Sequence, residues 1–380
     1  MSKKERIAKH KEAIPMSKKE HIAKHTEPLF HITKRSNVNF WLALLVRALA
    51  VLVLFVIMSV ILFLLADKNP FTLMASMFEG AFGTSLRTWI LFSNTAILLG
   101  IALALTPAFK MKFWNCGGEG QVMVGSLVAA MTMLFIGDQV PLPLLIAITI
   151  VLSMIIGAVW ALIPAVFKAK WNVNETLFTL MMNYIAIQFV TYFLKLFGNA
   201  QGNLEPMPQY AIPKIFDGSY FLNIVLILVI CAIMYVYLRF SKQGYEISVV
   251  GESENTAKYV GINVPKVIIR TMLISGALCG LIGSLLVANG SCSVTTTIAG
   301  GRGFTAILVS WLGKFNPIYM IATAFLVVFL QRGTSYMGEL YRLDTSMADI
   351  FIGVVLLIII GCEFFINYKI NFRKRNKEGK

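Results

Sequence analysis

The chain has 380 residues, 57% hydrophobic and only 14% charged, with a mean hydropathy of +0.73. Soluble domains sit near about 45–50% apolar, so these values exclude a soluble globular protein and describe a polytopic membrane protein. The formal charge of +15 gathers at the two ends, which reads as positive-inside anchoring in the cytoplasm rather than the basic, aromatic-lined groove that nucleic acid requires.

Residues 1–36 carry ten Lys/Arg against four Glu, and residues 1–10 reappear almost unchanged as 16–25. A basic tract beside a first span can lie on anionic lipid, but a duplicated start region without fixed structure accounts for it more simply. The apolar run 41–66 is too long for a cleavable signal and is expected to remain as a span. About ten passes are expected, each of roughly 20 residues: near 41–66, 88–108, 113–137, 142–167, 176–198, 220–239, 268–290, 296–313, 317–337 and 347–367. The eighth is the weakest, because its first half is polar and glycine-rich. An even count returns both basic ends to one side, and Lys110, Lys112, Lys168, Lys170, Arg239 and Lys242 then fall on the inner side. Asp138, Glu205 and Asp217 fall outside, with 67–87 and 199–219 as the longest outer loops and candidate docking surface. The division is therefore a basic arm (1–36), an all-α transmembrane domain (37–368) and a basic tail (369–380).

The organising stretch is 111–126, where Asn115-Cys116-Gly117-Gly118-Glu119-Gly120-Gln121 interrupts two apolar runs. Hydrocarbon cannot satisfy a loose backbone or a free carboxylate, so such a segment must be buried in protein or line a watery cavity. A glycine break that opens a helix is also how transporters aim a helix N-terminus at a ligand. The alternative is a tight turn between two spans, with Glu119 at the interface. A similar start, Gly300-Gly301-Arg302-Gly303, lies five spans later and enters from the opposite face, which suggests an inverted repeat with an acid in one copy and a base in the other.

Asn174 is placed to cap the fifth span, with Glu175 in its first turn. Asn183 lies nearly three turns in and needs a partner on a neighbouring helix or in a substrate. The one large inner loop, 241–267, contains a short helix over 251–261 with Ser253 as N-cap. So short a helix must dock, either on its own bundle or on a cytoplasmic partner.

All four histidines (10, 21, 25, 31) sit in the arm, so the membrane body has no imidazole for a triad, relay or zinc site. The five cysteines (116, 231, 279, 292, 362) have no C-x-x-C spacing and read as buried free thiols. No Walker-type glycine loop is present, so the chain cannot cradle ATP that way. No metal, cofactor or catalytic residue is expected, and the chain is read as a non-enzyme.

Residues 115–121, 174–184 and 251–262, with Gly303-Phe304-Thr305-Ala306-Ile307 and 312–317, resemble permease subunits of bacterial ABC importers. The branch is that of ribose-like sugars, branched-chain amino acids and nucleosides, and the Gly-Glu-Gly-Gln ending is most similar to nucleoside, guanosine-type permeases. Cys116, Thr305 and Thr256 depart from the usual aliphatic, acidic and proline residues. The resemblance covers about 40–367. It implies a second permease subunit, ABC ATP-binding subunits on the inner loop and an extracellular lipid-anchored substrate-binding protein. It also implies a multi-pass protein of the bacterial plasma membrane. Under it, Asn115, Gly117, Gly118, Glu119, Gln121, Asn183 and Arg302 are expected along the substrate pathway. Gly251, Glu252, Glu254, Asn255, Ala257, Tyr259 and Gly261 are expected at the ATPase contact. An ion-coupled carrier using Glu119, or a membrane-embedded enzyme, would not need so large an inner loop.

Overall fold

The computed structural model describes residues 30–35, 70–199, 203–212, 220–289, 292–342 and 368–372, with isolated positions between 45 and 60 and between 350 and 366. The duplicated arm segment lies outside the described residues. So do the passes near 41–66 and 347–367, apart from those isolated helical positions.

The chain divides into two units. In the unit made of Met1–Leu65 and Gly353–Lys380, strand β1 (Phe30–Lys34) pairs antiparallel with β2 (Tyr368–Phe372), placing Ile32 opposite Ile370. Both strands alternate aromatic or β-branched residues with polar ones, the period a strand favours. Their pairing joins the arm to the start of the tail, two segments that the charge reading treated as separate.

The other unit, Ala66–Ile352, holds α1 (Pro70–Phe82), α2 (Ser85–Lys110), α3 (Gly118–Ile136), α4 (Leu142–Trp171), α5 (Glu175–Phe197), α6 (Phe221–Phe240), α7 (Lys242–Glu252), α8 (Glu254–Tyr259), α9 (Val264–Ala288), α10 (Arg302–Leu312) and α11 (Pro317–Tyr341). Seven of these (α2, α3, α4, α5, α6, α9 and α11) are long and apolar enough to cross a membrane. With them the chain is an all-α, polytopic membrane protein.

Two expectations change. Within the expected outer loop 67–87, residues 70–82 are helical: α1 forms there and packs on α11, where Tyr336 covers Gly80. The eighth pass is only partly helical, since α10 has 11 residues. At 1.5 Å per residue it spans roughly 16 Å, about half of a ~30 Å hydrocarbon core. The remainder, 292–301, is turns and extended backbone. Residues 292–315 run from the end where α9 finishes to the end where α2 finishes, about half of that path without a helix.

The centre is α2, α3 and α9, in each of which 72% of the most apolar window is buried, against 22% for α4 and 28% for α6. In lipid no hydrophobic drive pulls helices together, so small residues that allow close backbone approach do the work. Gly125 on α3 lies against Gly280 on α9, and Gly157 on α4 lies against both Gly276 and Gly280. Ser126 Oγ donates to the Gly283 carbonyl (3.0 Å) and Ser153 Oγ to the Gly125 carbonyl (2.9 Å), locking the three helices in register. A Cβ at Gly280 would meet the Ser153 carbonyl oxygen, which is backbone and cannot yield. Gly280→Val is therefore expected to cost at least about 1–3 kcal/mol, with Gly280→Ala intermediate. Graded falls in the thermal midpoint of the purified chain in detergent would register this.

Candidate functional site

At the end of α2 the chain turns through Lys112, whose φ of 60° ends the helix, and the Phe113 N–H returns to the Ala108 carbonyl (2.9 Å). The glycine-rich break follows, and its backbone is satisfied by Asn115 within the break and by side chains from α5. Asn115 is fully buried; its Oδ1 accepts from the Gly117 N–H (3.1 Å) and from Gln121 Nε2 (3.2 Å), and its Nδ2 donates to Ser275 Oγ on α9 (3.1 Å). Asn183 on α5 acts as a splint across the break. Its Nδ2 donates to the Cys116 carbonyl (2.9 Å), and its Oδ1 accepts from the Gly120 N–H (2.8 Å). Thr179 Oγ1, one turn earlier, accepts from the Cys116 N–H (3.2 Å). Asn183 thus finds its partner across helices. The polar atoms of Asn115, Gln121 and Asn183 face one another and the backbone. Gly120 has no room for a side chain, because a Cβ there would lie 2.9 Å from the Asn183 Cα.

Glu119 reaches the second glycine break. Its Oε1 accepts from the Gly301 N–H (2.7 Å) and its Oε2 from the Gly303 N–H (2.6 Å), so one carboxylate seals the N-terminus of α10. Gly300 and Gly301 have φ of 57° and 72°, a backbone that L side chains rarely adopt, and this turn exposes those two N–H groups. Glu119 is itself in the first turn of α3, and only 8% of its surface is exposed. The two broken helices therefore meet start to start with a single anion between them. That arrangement was not readable from the sequence, where the two motifs are far apart. Arg302 folds back over its own helix start, donating to the Ile298 carbonyl (3.2 Å), and reaches Asn94 Oδ1 on α2 (3.4 Å).

The expected caps form: Asn174 accepts from the Thr176 and Leu177 N–H groups, and Ser253 from that of Thr256. The inner loop contains two helices rather than one. α7 continues from α6 past the Ser241 cap, and α8 follows directly. Gly251 rests against the Lys110 carbonyl at the end of α2, too close for any Cβ. Ala257 is fully buried in an apolar cluster with Ile247, Val250, Val264 and Met111, so it anchors α8 rather than offering a contact. Glu252, Glu254, Asn255, Gly261 and above all Tyr259, 93% exposed, face outward. An ion pair between Arg270 on α9 and Glu246 on α7 (2.9 Å) ties the lever to its bundle.

Among the described residues no group of three or more His, Cys, Asp or Glu could hold a metal ion, and Cys116, Cys231, Cys279 and Cys292 are free thiols. Sequence reasoning missed Ser275 and Thr179. It also missed a cavity beside Asn94 that includes Arg332, whose place in an apolar span was a readable signal.

An 11-residue helix opened by a glycine break, meeting the start of a full span inside the bundle with its irregular backbone sealed by protein, is an arrangement that membrane transport proteins use. The family comparison agrees: residues 85–360 match the model described as branched-chain amino acid transport system, permease component, and the chain belongs to that permease family. It is 29% identical to the guanosine ABC transporter permease NupP of Bacillus subtilis, covering 69% of this chain and 77% of the relative. It is 27% identical to the nucleoside ABC transporter permease NupB of Lactococcus lactis, over 80% and 88%. It is also 27% identical to the glucose ABC transporter permease TsgB13 of Haloferax volcanii, over 72% and 75%. No solved structure matches.

Glu119→Gln removes the charge and leaves one of the two α10 N–H groups without an acceptor, an expected loss of about 1.5–3 kcal/mol for a charged hydrogen bond. The thermal midpoint should fall, and Glu119→Asp, which keeps the charge but shortens the reach, should recover only part of it.

Proposed function

We propose that the chain is the membrane subunit of an ATP-driven importer that carries nucleosides into the cell, with both termini cytoplasmic. Family membership supports the transport role, and the two nucleoside permeases among the relatives favour nucleosides over the glucose of the third. The antiparallel pairing of β1 with β2 supports placing both ends on one face of the membrane.

The observation that carries the mechanism is the seating of Gly251 on the Lys110 carbonyl. It puts the lever in backbone contact with the chain just before the break at Asn115–Gly120. ATP-binding subunits would grip the outward face of α8, at Tyr259, Glu254 and Asn255, and the neighbouring Glu252. Because α7 continues α6 and α8 leads into α9, a push there tilts α6 and α9 together and loads the hinge after α2. The ATPases bias one state by binding its lever position better than the other. Asn115, Gly117, Gly118, Glu119, Gln121, Asn183 and Arg302 then form the wall that opens and closes, through the hydrogen bonds that hold its two helix starts. On the opposite end, 203–212 is stitched over the irregular segment: the Ser293 hydroxyl donates to the Leu204 carbonyl, and the Ile212 N–H to that of Ala288. That surface would receive the substrate-binding lipoprotein. A second permease subunit would cover part of the exposed apolar surface of the outer helices.

Vesicles holding the full complex should accumulate radiolabelled guanosine in an ATP-dependent manner, with excess uridine competing and ribose and leucine failing to compete. Competition by ribose or leucine alone would overturn the substrate assignment. Tyr259→Asp, at an exposed position, should lower both uptake and partner-stimulated ATP hydrolysis about tenfold without moving the thermal midpoint. Unchanged coupling in that variant would contradict the lever.

A further inference from the structure

At the end of the bundle where α9 finishes, a cavity of about 240 Å³ lies between α2, α6, α9 and α11. Its polar lining is Ser93, Asn94, Tyr220, Asn289 and Arg332, and the rest is isoleucine from α2 and leucine from α9. Asn289 Nδ2 is spent on Ser93 Oγ (3.3 Å), but its Oδ1 is buried with no hydrogen-bond partner. One helical turn below Tyr220, on the same face of α6, Asn223 is 1% exposed, and its Nδ2 also lacks a partner. Unmade hydrogen bonds at buried amides cost free energy, so the orphan Asn289 Oδ1 in the cavity lining points to an occupant that satisfies it. Among the described residues Arg332 forms no ion pair, and it lies close enough to Arg302 for the two cations to repel. No carboxylate lines the space.

These features select a chemistry. The volume is somewhat under the ~300 Å³ at which drug-sized pockets begin, so the occupant is a small solute. An amino acid would bring an ammonium toward Arg332 with no carboxylate in the lining to receive it. A monosaccharide would set hydroxyls against the aliphatic walls, leaving them unpaired. A heterocyclic base has apolar faces for those walls and Tyr220, with hydrogen-bonding groups confined to its edge.

Resting on the nucleoside reading above, we propose that this cavity is a solute site within the membrane subunit and that it holds the base of a nucleoside. A ring carbonyl accepts from Arg332, and a ring N–H or ribosyl hydroxyl donates to Asn289 Oδ1. Asn94 links the site to the broken-helix junction, because its own Oδ1 accepts from Arg302 beside Gly303.

The test uses the full importer in proteoliposomes. Leu286→Cys places a thiol on the aliphatic wall, and its alkylation by N-ethylmaleimide is read above the background of the native chain. Guanosine is expected to slow that alkylation, whereas ribose and leucine are not. Adding Arg332→Gln or Asn289→Leu should raise the half-protecting guanosine concentration about tenfold. Guanosine uptake by the native complex with no protection at Leu286→Cys, or with protection insensitive to both substitutions, would overturn the site while leaving the transport reading intact. Failure of the native complex to take up guanosine, with ribose or leucine transported instead, would remove the nucleoside reading itself. The Leu286→Cys chain alone keeps the outcome readable if a double variant does not assemble.

Discussion

One carboxylate holds the middle of this protein together. Each helix start carries roughly half a positive charge and four N–H groups without intrahelical partners. Two such starts brought together repel and leave donors unmet, in a setting where water cannot help. Glu119 resolves both problems: it stands in the first turn of α3 and accepts from two N–H groups of α10. Asn115, Asn183 and Thr179 do the same for the backbone of the break, and Gln121 and Ser275 hold the Asn115 amide in place. The break is thus built of hydrogen bonds rather than of apolar packing, which gives it discrete arrangements to move between.

The glycine-packed trio of α3, α4 and α9 provides the opposite property. Backbones in contact through Gly125, Gly157, Gly276 and Gly280 leave no slack, so these helices move as a body. The lever sits where that body meets the hinge. α8 is short, buried on its Ala257 side and exposed at Tyr259, and α7 touches the last residues of α2. A force applied from the cytoplasmic face then has a stiff body to push and a hydrogen-bonded joint to bend.

Hydropathy and the charge at helix ends made the long spans legible, because lipid leaves few ways to build them. The caps at Asn174 and Ser253 were legible because capping is local chemistry. The eighth pass was legible in part: the Gly300–Gly303 break marked where its helix starts, but nothing local gives the course of the irregular backbone over 292–301. Nor could sequence spacing show that Gly118-Glu119 and Gly301-Arg302-Gly303 touch, since that contact is made by the fold of the seven long helices around them. Ala257 was expected at the contact surface because the family resemblance places the whole 251–261 stretch there. Only the docking of α8 decides which face turns inward.

Amide hydrogen exchange across 301–305 in the assembled complex addresses the central claim most directly. With Glu119 holding the start of α10, these amides should exchange slowly in the resting complex, and faster when ATP binding drives the lever. Equally fast exchange in both states would contradict the account, since the carboxylate would then not be the joint on which the bundle turns.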